Sequence, residues 1–237
     1  MELRTTGITG LDAQYGGGFP AGAFVLLVAE PMNALSLFLD QFSQGGLEKG
    51  EQVHYIAIER RPEDIQDSLK SLVGKAPDEK ALLIQNFAGL QFEGMNGDAA
   101  KRYKFANAGN VLEAMAKFLS SEVKQPCRLA VESLTELLQH YPEKDVLKTV
   151  RLMKLFANHN QALTVATITK GLHPEPLLTE LKHMADGVME FNVERKGFGI
   201  YNYLIISKMR GISDATRLLL FKETDKGLWL ESTRRVF

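Results

Sequence analysis

Val25 to Phe42, VLLVAEPMNALSLFLDQF, opens with a short apolar run and changes period after a turn. Its first residues read as a buried strand, and Leu35, Phe38, Leu39 and Phe42 then share one face of a helix. The same alternation recurs downstream. VHYIAI (Val53 to Ile58), ALLIQ (Ala81 to Gln85), RLAVES (Arg128 to Ser133) and ALTVATI (Ala162 to Ile168) read as strands. Between them, Pro62 to Val73 carries Ile65, Leu69 and Leu72 at helical spacing, with the proline suited to a first turn. A helix capped by Asn110 buries Val111, Met115, Phe118 and Leu119, and one from Glu143 to Asn158 buries Val146, Val150 and Met153. Strands alternating with helices predict an α/β fold, a parallel sheet with helices on both faces.

The pattern changes after Ala185. Gly187 to Val193, Ile200 to Lys208, Arg217 to Lys222 and Gly227 to Glu231 read as strands joined by short turns, a C-terminal antiparallel β-meander. Gly45-Gly46 and Gly50 are expected to punctuate the return from the first helix to the sheet. Residues 86–109 are aperiodic, contain several glycines and carry the basic run Lys101-Arg102-Tyr103-Lys104; they are the candidate for a mobile surface loop. With no long linker, repeat or low-complexity tract, residues 1–237 are expected to form one domain.

A chain of 237 residues can bury a sizeable core. Its formal net charge of −1 implies no global attraction to nucleic acid or to a membrane. Cys127, the one cysteine, excludes an internal disulfide framework, suits a reducing compartment and is expected to be a small buried residue at a strand edge. The opening MELRTTGITG has charge and no apolar core of a signal peptide. No stretch approaches the roughly 18 apolar residues of a membrane helix, so a cytoplasmic protein is expected. His54, His140, His159, His173 and His183 lack metal-ligand spacing, and surface or capping roles are expected for them. The nucleophile elbow G-x-S-x-G is absent.

A strand–turn–helix is where a mononucleotide-binding fold places its phosphate loop, G-x-x-x-x-G-K-[ST]. The eight residues in register here are Ala29, Glu30, Pro31, Met32, Asn33, Ala34, Leu35 and Ser36. Such a loop wraps phosphates in backbone N–H groups while its lysine neutralises their charge. Glycine is required where the backbone comes close to the ligand, yet Met32 and Ala34 carry Cβ atoms. Leu35 brings an apolar side chain to a site that needs a cation. Ser36 keeps the chemistry of the last position, as a magnesium ligand or simply as a helix cap. The turn reads as one converted to core packing.

Residues 6 to 28, TGITGLDAQYGGGFPAGAFVLLV, make the register secure. Thr6, Gly7, Ile8, Gly10, Asp12, Gly16, Gly17, Gly18, Pro20 and Gly22 match the T-G-I-x-G-x-D segment and Gly-Gly-Gly-x-Pro-x-Gly turn of KaiC-like ATPases in the RecA superfamily, which the chain resembles over essentially its whole length. The resemblance implies a RecA-like P-loop fold whose loop would read G-E-P-G-T-G-K-T. Glu30 and Pro31 keep that pattern; Ala29, Met32 and Ala34 stand at glycine positions and Leu35 at the lysine. The family's second strand motif ends in D-S, the Walker B aspartate that holds magnesium through water. RLAVESLT, Arg128 to Thr135, matches it with Glu132 at the aspartate, and the extra methylene shifts the carboxylate for an ion of strict geometry.

The family's E-E-x-P-x-D-I segment corresponds to Glu59-Arg60-Arg61-Pro62-Glu63-Asp64-Ile65, so Glu59 keeps the position of the general base while Arg60 reverses the charge of its partner. Two readings stay open there: an ion-pair set of Glu59 and Glu132 against Arg60 or Arg61, or a residual anion-binding pocket. Lys208-Met209-Arg210-Gly211 resembles the K-M-R-G segment by which KaiC-like subunits reach a neighbour's nucleotide, with Asp214 in place of the usual histidine. Lys208 and Arg210 mark either a preserved subunit interface or a solvated strand end.

Together these residues give the expectation of a pseudo-ATPase that needs no cofactor. It would act in regulation, in signalling or as an assembly scaffold, through contacts with a second copy or an active RecA-like paralogue. The alternative is an ATP-binding switch or weak ATPase using ATP and magnesium at Ser36, Glu132 and Glu59. A third reading, a recombinase-paralogue DNA-binding module, needs a basic pore loop. Lys170 to Thr179, KGLHPEPLLT, offers one lysine and two prolines, and the KRYK run reads as a charged solvated loop, so nucleic acid is not the expected partner.

Overall fold

The computed structural model describes residues 2–32, 34–87, 111–197, 199–212 and 217–231. Asn33, Asn110, Asp214 and the expected 86–109 loop from residue 88 onward, with its KRYK run, lie outside the described residues. Near the N-terminus, β1 (Leu3–Arg4) and β2 (Phe19–Pro20) pair antiparallel and bracket α1 (Thr9–Gln14). The T-G-I-x-G-x-D segment is a structural clasp. Its Asp12 carboxylate accepts the Thr6 N–H and the Thr6 hydroxyl, both at 2.7 Å, and the Gly7 N–H at 3.2 Å.

The chain then runs through β3 (Phe24–Ala29), α2 (Ala34–Glu48), β4 (Gln52–Ala57), α3 (Pro62–Val73) and β5 (Leu82–Asn86). Next come α4 (Val111–Leu119), β6 (Cys127–Val131), α5 (Leu134–His140), α6 (Glu143–Asn160), β7 (Leu163–Thr169) and α7 (Glu175–Met184). It closes on β8 (Gly187–Lys196), β9 (Gly199–Met209), β10 (Arg217–Thr224) and β11 (Gly227–Leu230). One nine-stranded sheet has the order β11-β10-β9-β8-β3-β7-β6-β4-β5. Pairings from β8 to β5 are parallel and those from β8 to β11 antiparallel. The α/β fold with its C-terminal meander is therefore as the alternation of periods predicts. The meander is not a separate layer, because β8 pairs in parallel with β3.

β3 is buried along its whole length, and successive side chains feed two cores. Val25, Leu27 and Ala29 join Phe38, Phe42 and the meander's Phe191 and Phe221. Phe24, Leu26 and Val28 join Val150, Met153 and Phe156 of α6 on the other face. Both faces of the parallel half are covered, which is why its strands read as unbroken apolar runs. Among the described residues, no helix is long and apolar enough to cross a membrane.

Gly45 and Gly46 lie inside α2, not at a return to the sheet. Their role is close packing. A Cβ on Gly45 would stand 2.5 Å from the Gly7 Cα, and one on Gly46 would stand 2.3 Å from Nε of Arg128. Arg128 is fully buried. It donates from Nε to Glu51 at 2.7 Å, and from its terminal nitrogens to the carbonyls of Phe42 at 2.6 Å and Thr5 at 3.2 Å. Lys170 to Thr179 is only partly a loop, because α7 begins within it and buries Leu177 and Leu178. Its prolines fit because the first turn of a helix has no intrahelical use for their missing N–H.

Cys127 opens β6 in a buried position, and burial pushes its thiol up to about 11. His54 departs from the surface role expected of it. It sits on β4 at 3% exposure, its ring 5.0 Å from that of Phe118, and among the described residues neither ring nitrogen has a hydrogen-bond partner.

Candidate functional site

The carboxyl ends of β3, β4, β6 and β7 lie together because these strands run parallel, and such ends are where open α/β sheets place their ligands. Glu30 to Met32 leave β3, Glu59 and Arg60 follow β4, Glu132 and Ser133 follow β6, and Thr169 ends β7. All of these but Arg60, which stands beside it, line a cleft of about 220 Å³. Met32, Leu35 and Leu39 form its apolar floor, while Glu30, Glu59 and Glu132 supply carboxylates. Ser36, Ser133, Thr167 and Thr169 add hydroxyls. No lysine or arginine lines it among the described residues.

Of the sequence-predicted residues, Glu30, Pro31, Met32, Leu35, Ser36, Glu59 and Glu132 line this cleft, whereas Ala29 and Ala34 do not, and its charged lining is acidic. Met32 and Leu35 are half-buried and pack against the core under α2. The space is smaller than the roughly 300–1,000 Å³ of ordinary ligand pockets. Among the described residues no three His, Cys, Asp or Glu side chains are grouped to hold a metal ion. A larger hollow of about 640 Å³ lies at the opposite end of the sheet, between the ends of α4 and α6. Its lining of Leu119, Gln125, Phe156 and His159 includes none of the candidate residues.

Beside the cleft, Arg60 makes a closed bridge. Its Nε donates to Glu132 at 2.7 Å, its backbone N–H to the same carboxylate at 3.0 Å, and its two terminal nitrogens fork onto Asp40 at 2.9 and 2.8 Å. One of them also donates to the Tyr55 hydroxyl, and Ser68 donates to Asp40. Burial opposes the Arg60 charge, but hydrogen bonding to Asp40 and the field of Glu132 outweigh it. Burial and the nearby Glu132 charge raise the Tyr55 hydroxyl far above its usual range, so it stays protonated.

The expected ion-pair set is thus half correct. Glu132 takes Arg60, whereas Arg61 turns outward to Asp64 at 2.7 Å, and Glu59 has no ion pair among the described residues. Partial burial raises the Glu59 carboxyl above the ordinary range; the Ser133 hydroxyl opposes that and the charges of Glu132 and Glu136 add to it. Such a carboxylate is a stronger base than usual, facing a cleft without a cation. Asp40 and Tyr55 are the site residues that sequence reasoning missed. The signal for Asp40 was present: an acidic residue between Leu39 and Phe42 on the buried stripe of a helix needs a partner.

Lys208 and Arg210 stand at the other end of β3. Lys208 donates to the last carbonyls of α7 and its cap, Ala185 at 2.6 Å and His183 at 3.0 Å. Arg210 donates to the Asn158 side chain at 3.0 Å and the Ala21 carbonyl at 2.9 Å, with Asp186 at 3.5 Å. Within one chain neither approaches the cleft.

The family described as the KaiC ATPase matches residues 4–233. The chain belongs to the KaiC ATPase family. A UPF0273 protein of Thermotoga maritima is 28% identical to this KaiC-family chain, covering 94% of it and 93% of the relative. The DNA repair protein RadA of Aquifex aeolicus is 26% identical over 96% of the KaiC-family chain but only 46% of its own length. In fold, a KaiC-like protein from Pyrococcus horikoshii superposes with a TM-score of 0.70 at 22% identity, covering 98% of this chain and 99% of that one.

Proposed function

We propose that this KaiC-family chain is an inactivated ATPase, a regulatory or scaffolding subunit that works through protein contacts with a second copy or an active RecA-like paralogue. One observation carries the reading: the cleft at the phosphate-loop position is lined by Glu30, Glu59, Glu132, Met32, Leu35 and Leu39 and, among the described residues, by no lysine or arginine. Phosphoryl transfer rests almost wholly on positioning and on neutralising phosphate charge, and this lining would repel the substrate. Arg60, beside the cleft, is committed to Asp40 and Glu132. Met32 and Leu35 supply packing where a phosphate would sit, so the subunit folds without nucleotide.

Titration of the purified protein with ATP, with and without magnesium, is expected to show no saturable binding. Phosphate release should match a Glu59→Gln control. Turnover in the range of about 1–100 s⁻¹ that kinases reach, abolished by Glu59→Gln, overturns the reading.

A further inference from the structure

We propose that the β8–β9 ribbon of one copy of this chain docks, head to tail, in the 640 Å³ hollow of a second copy. This contact rests on the proposed scaffold role and names its partner and the surfaces that meet. β8 pairs with β3 only as far as Phe191, and β10 pairs with β9 only over Tyr203 to Ile206. Past those limits Val193 to Lys196 and Gly199 to Asn202 pair only with each other among the described residues. The sheet thus narrows to a two-stranded ribbon, and it does so at the cleft end, because β8 runs parallel to β3. Val193 and Ile200 are diagonal neighbours on one face of the ribbon, and Tyr201 lies on the other. All three are exposed, Ile200 at 65%.

The hollow offers the complement at the opposite end of the sheet. Its apolar wall is Leu119, Val123, Leu152, Leu155 and Phe156, and Leu155 is 64% exposed. Its volume is that of an ordinary ligand pocket, room for a cluster of side chains. Seven large apolar side chains are exposed among the described residues, and four of them belong to these two features. The charges match as well. Arg195 on the ribbon and Glu122 at the hollow are both exposed, and neither has an ion pair among the described residues. The C-terminal ends of α4 and α6 add negative field beside Glu122. Within one chain the ribbon and the hollow lie too far apart to meet. A second copy brings each its counterpart, and a heterologous contact of this kind repeats into a ring or a filament.

The test uses the whole chain and two substitutions at exposed positions, Ile200→Asp on the ribbon and Leu155→Asp in the hollow. Sedimentation velocity over a concentration series, without nucleotide, is expected to show the wild type growing beyond a dimer. Each variant alone should associate at least about tenfold more weakly, with an unfolding midpoint near that of wild type. An equal mixture of the two is expected to form a dimer and stop there. The intact ribbon of Leu155→Asp enters the intact hollow of Ile200→Asp, and neither remaining end can add another subunit. A variant that associates as wild type does, or a mixture of folded variants that stays monomeric, overturns the inference. Repeating the series with magnesium ATP separates it from the inactive-site reading. A wild type that stays monomeric in both conditions removes the inference alone, and assembly that needs magnesium ATP removes both.

Discussion

Arg60→Ala is expected to cost about 3–5 kcal/mol of folding stability, the range for breaking a buried ion pair by removing one partner. Asp40 and Glu132 would be left with side chains only 1% and 4% exposed and no cation. Arg60→Lys is expected to recover little, because an ammonium cannot fork onto Asp40 while also holding Glu132 and the Tyr55 hydroxyl. Arg61→Ala is the internal control, since its partner Asp64 is solvent-exposed, and such pairs contribute little. Urea unfolding of the three variants decides the matter. An Arg60→Ala midpoint no lower than that of Arg61→Ala would show that the bridge does not hold the sheet end to α2.

Acid should weaken the fold through His54. Burial lowers its pKa from 6.5 to about 4, so the folded protein keeps the ring neutral while the unfolded chain protonates it. Below the unfolded value the unfolded state binds more protons, and stability falls as pH drops from 6.5 towards 4. The whole shift corresponds to about 3 kcal/mol, present in full above pH 6.5 and lost across that window. His54→Leu should flatten this part of the profile. At neutral pH it is expected to be neutral or stabilising, because both ring nitrogens are buried without partners among the described residues and leucine removes that cost. Chemical denaturation at pH 7 and pH 5 measures both effects. A wild-type slope unchanged in His54→Leu would place the acid sensitivity elsewhere.

The sheet was legible because its parallel strands are buried on both faces, so runs such as VHYIAI and ALTVATI carry the signal unaided. The limits of α3 at Pro62 and Val73 were also legible, set by a proline at its start and by Gly74 in the left-handed conformation at its end. What failed were signals with two meanings. Glycine marks a break or a close approach, and Gly45 and Gly46 are the second kind, visible only once Gly7 and Arg128 are in place. Prolines 174 and 176 mark a loop or a helix start. At the site, chain order named the loop, Glu59, and Glu132 as a candidate partner of Arg60, but not Asp40. Asp40 and Glu132 stand 20 and 72 positions away along the chain, and only the fold brings both to one guanidinium.

The Arg60 bridge also constrains how this sequence can change. A lysine introduced at position 35 would enter a cleft already holding Glu30 and Glu59, whose carboxylates would compete with any phosphate for it. Releasing Arg60 first would strand Asp40 and Glu132 and lower stability. Neither step is advantageous alone, and the turn would still carry Met32 and Ala34 where the backbone must approach its ligand. On the proposed reading of an inactive site, phosphate binding is therefore epistatic: with Arg60 closed on Asp40 and Glu132, no single substitution supplies the loop cation, the close-approach glycines and an unpaired Glu132 together.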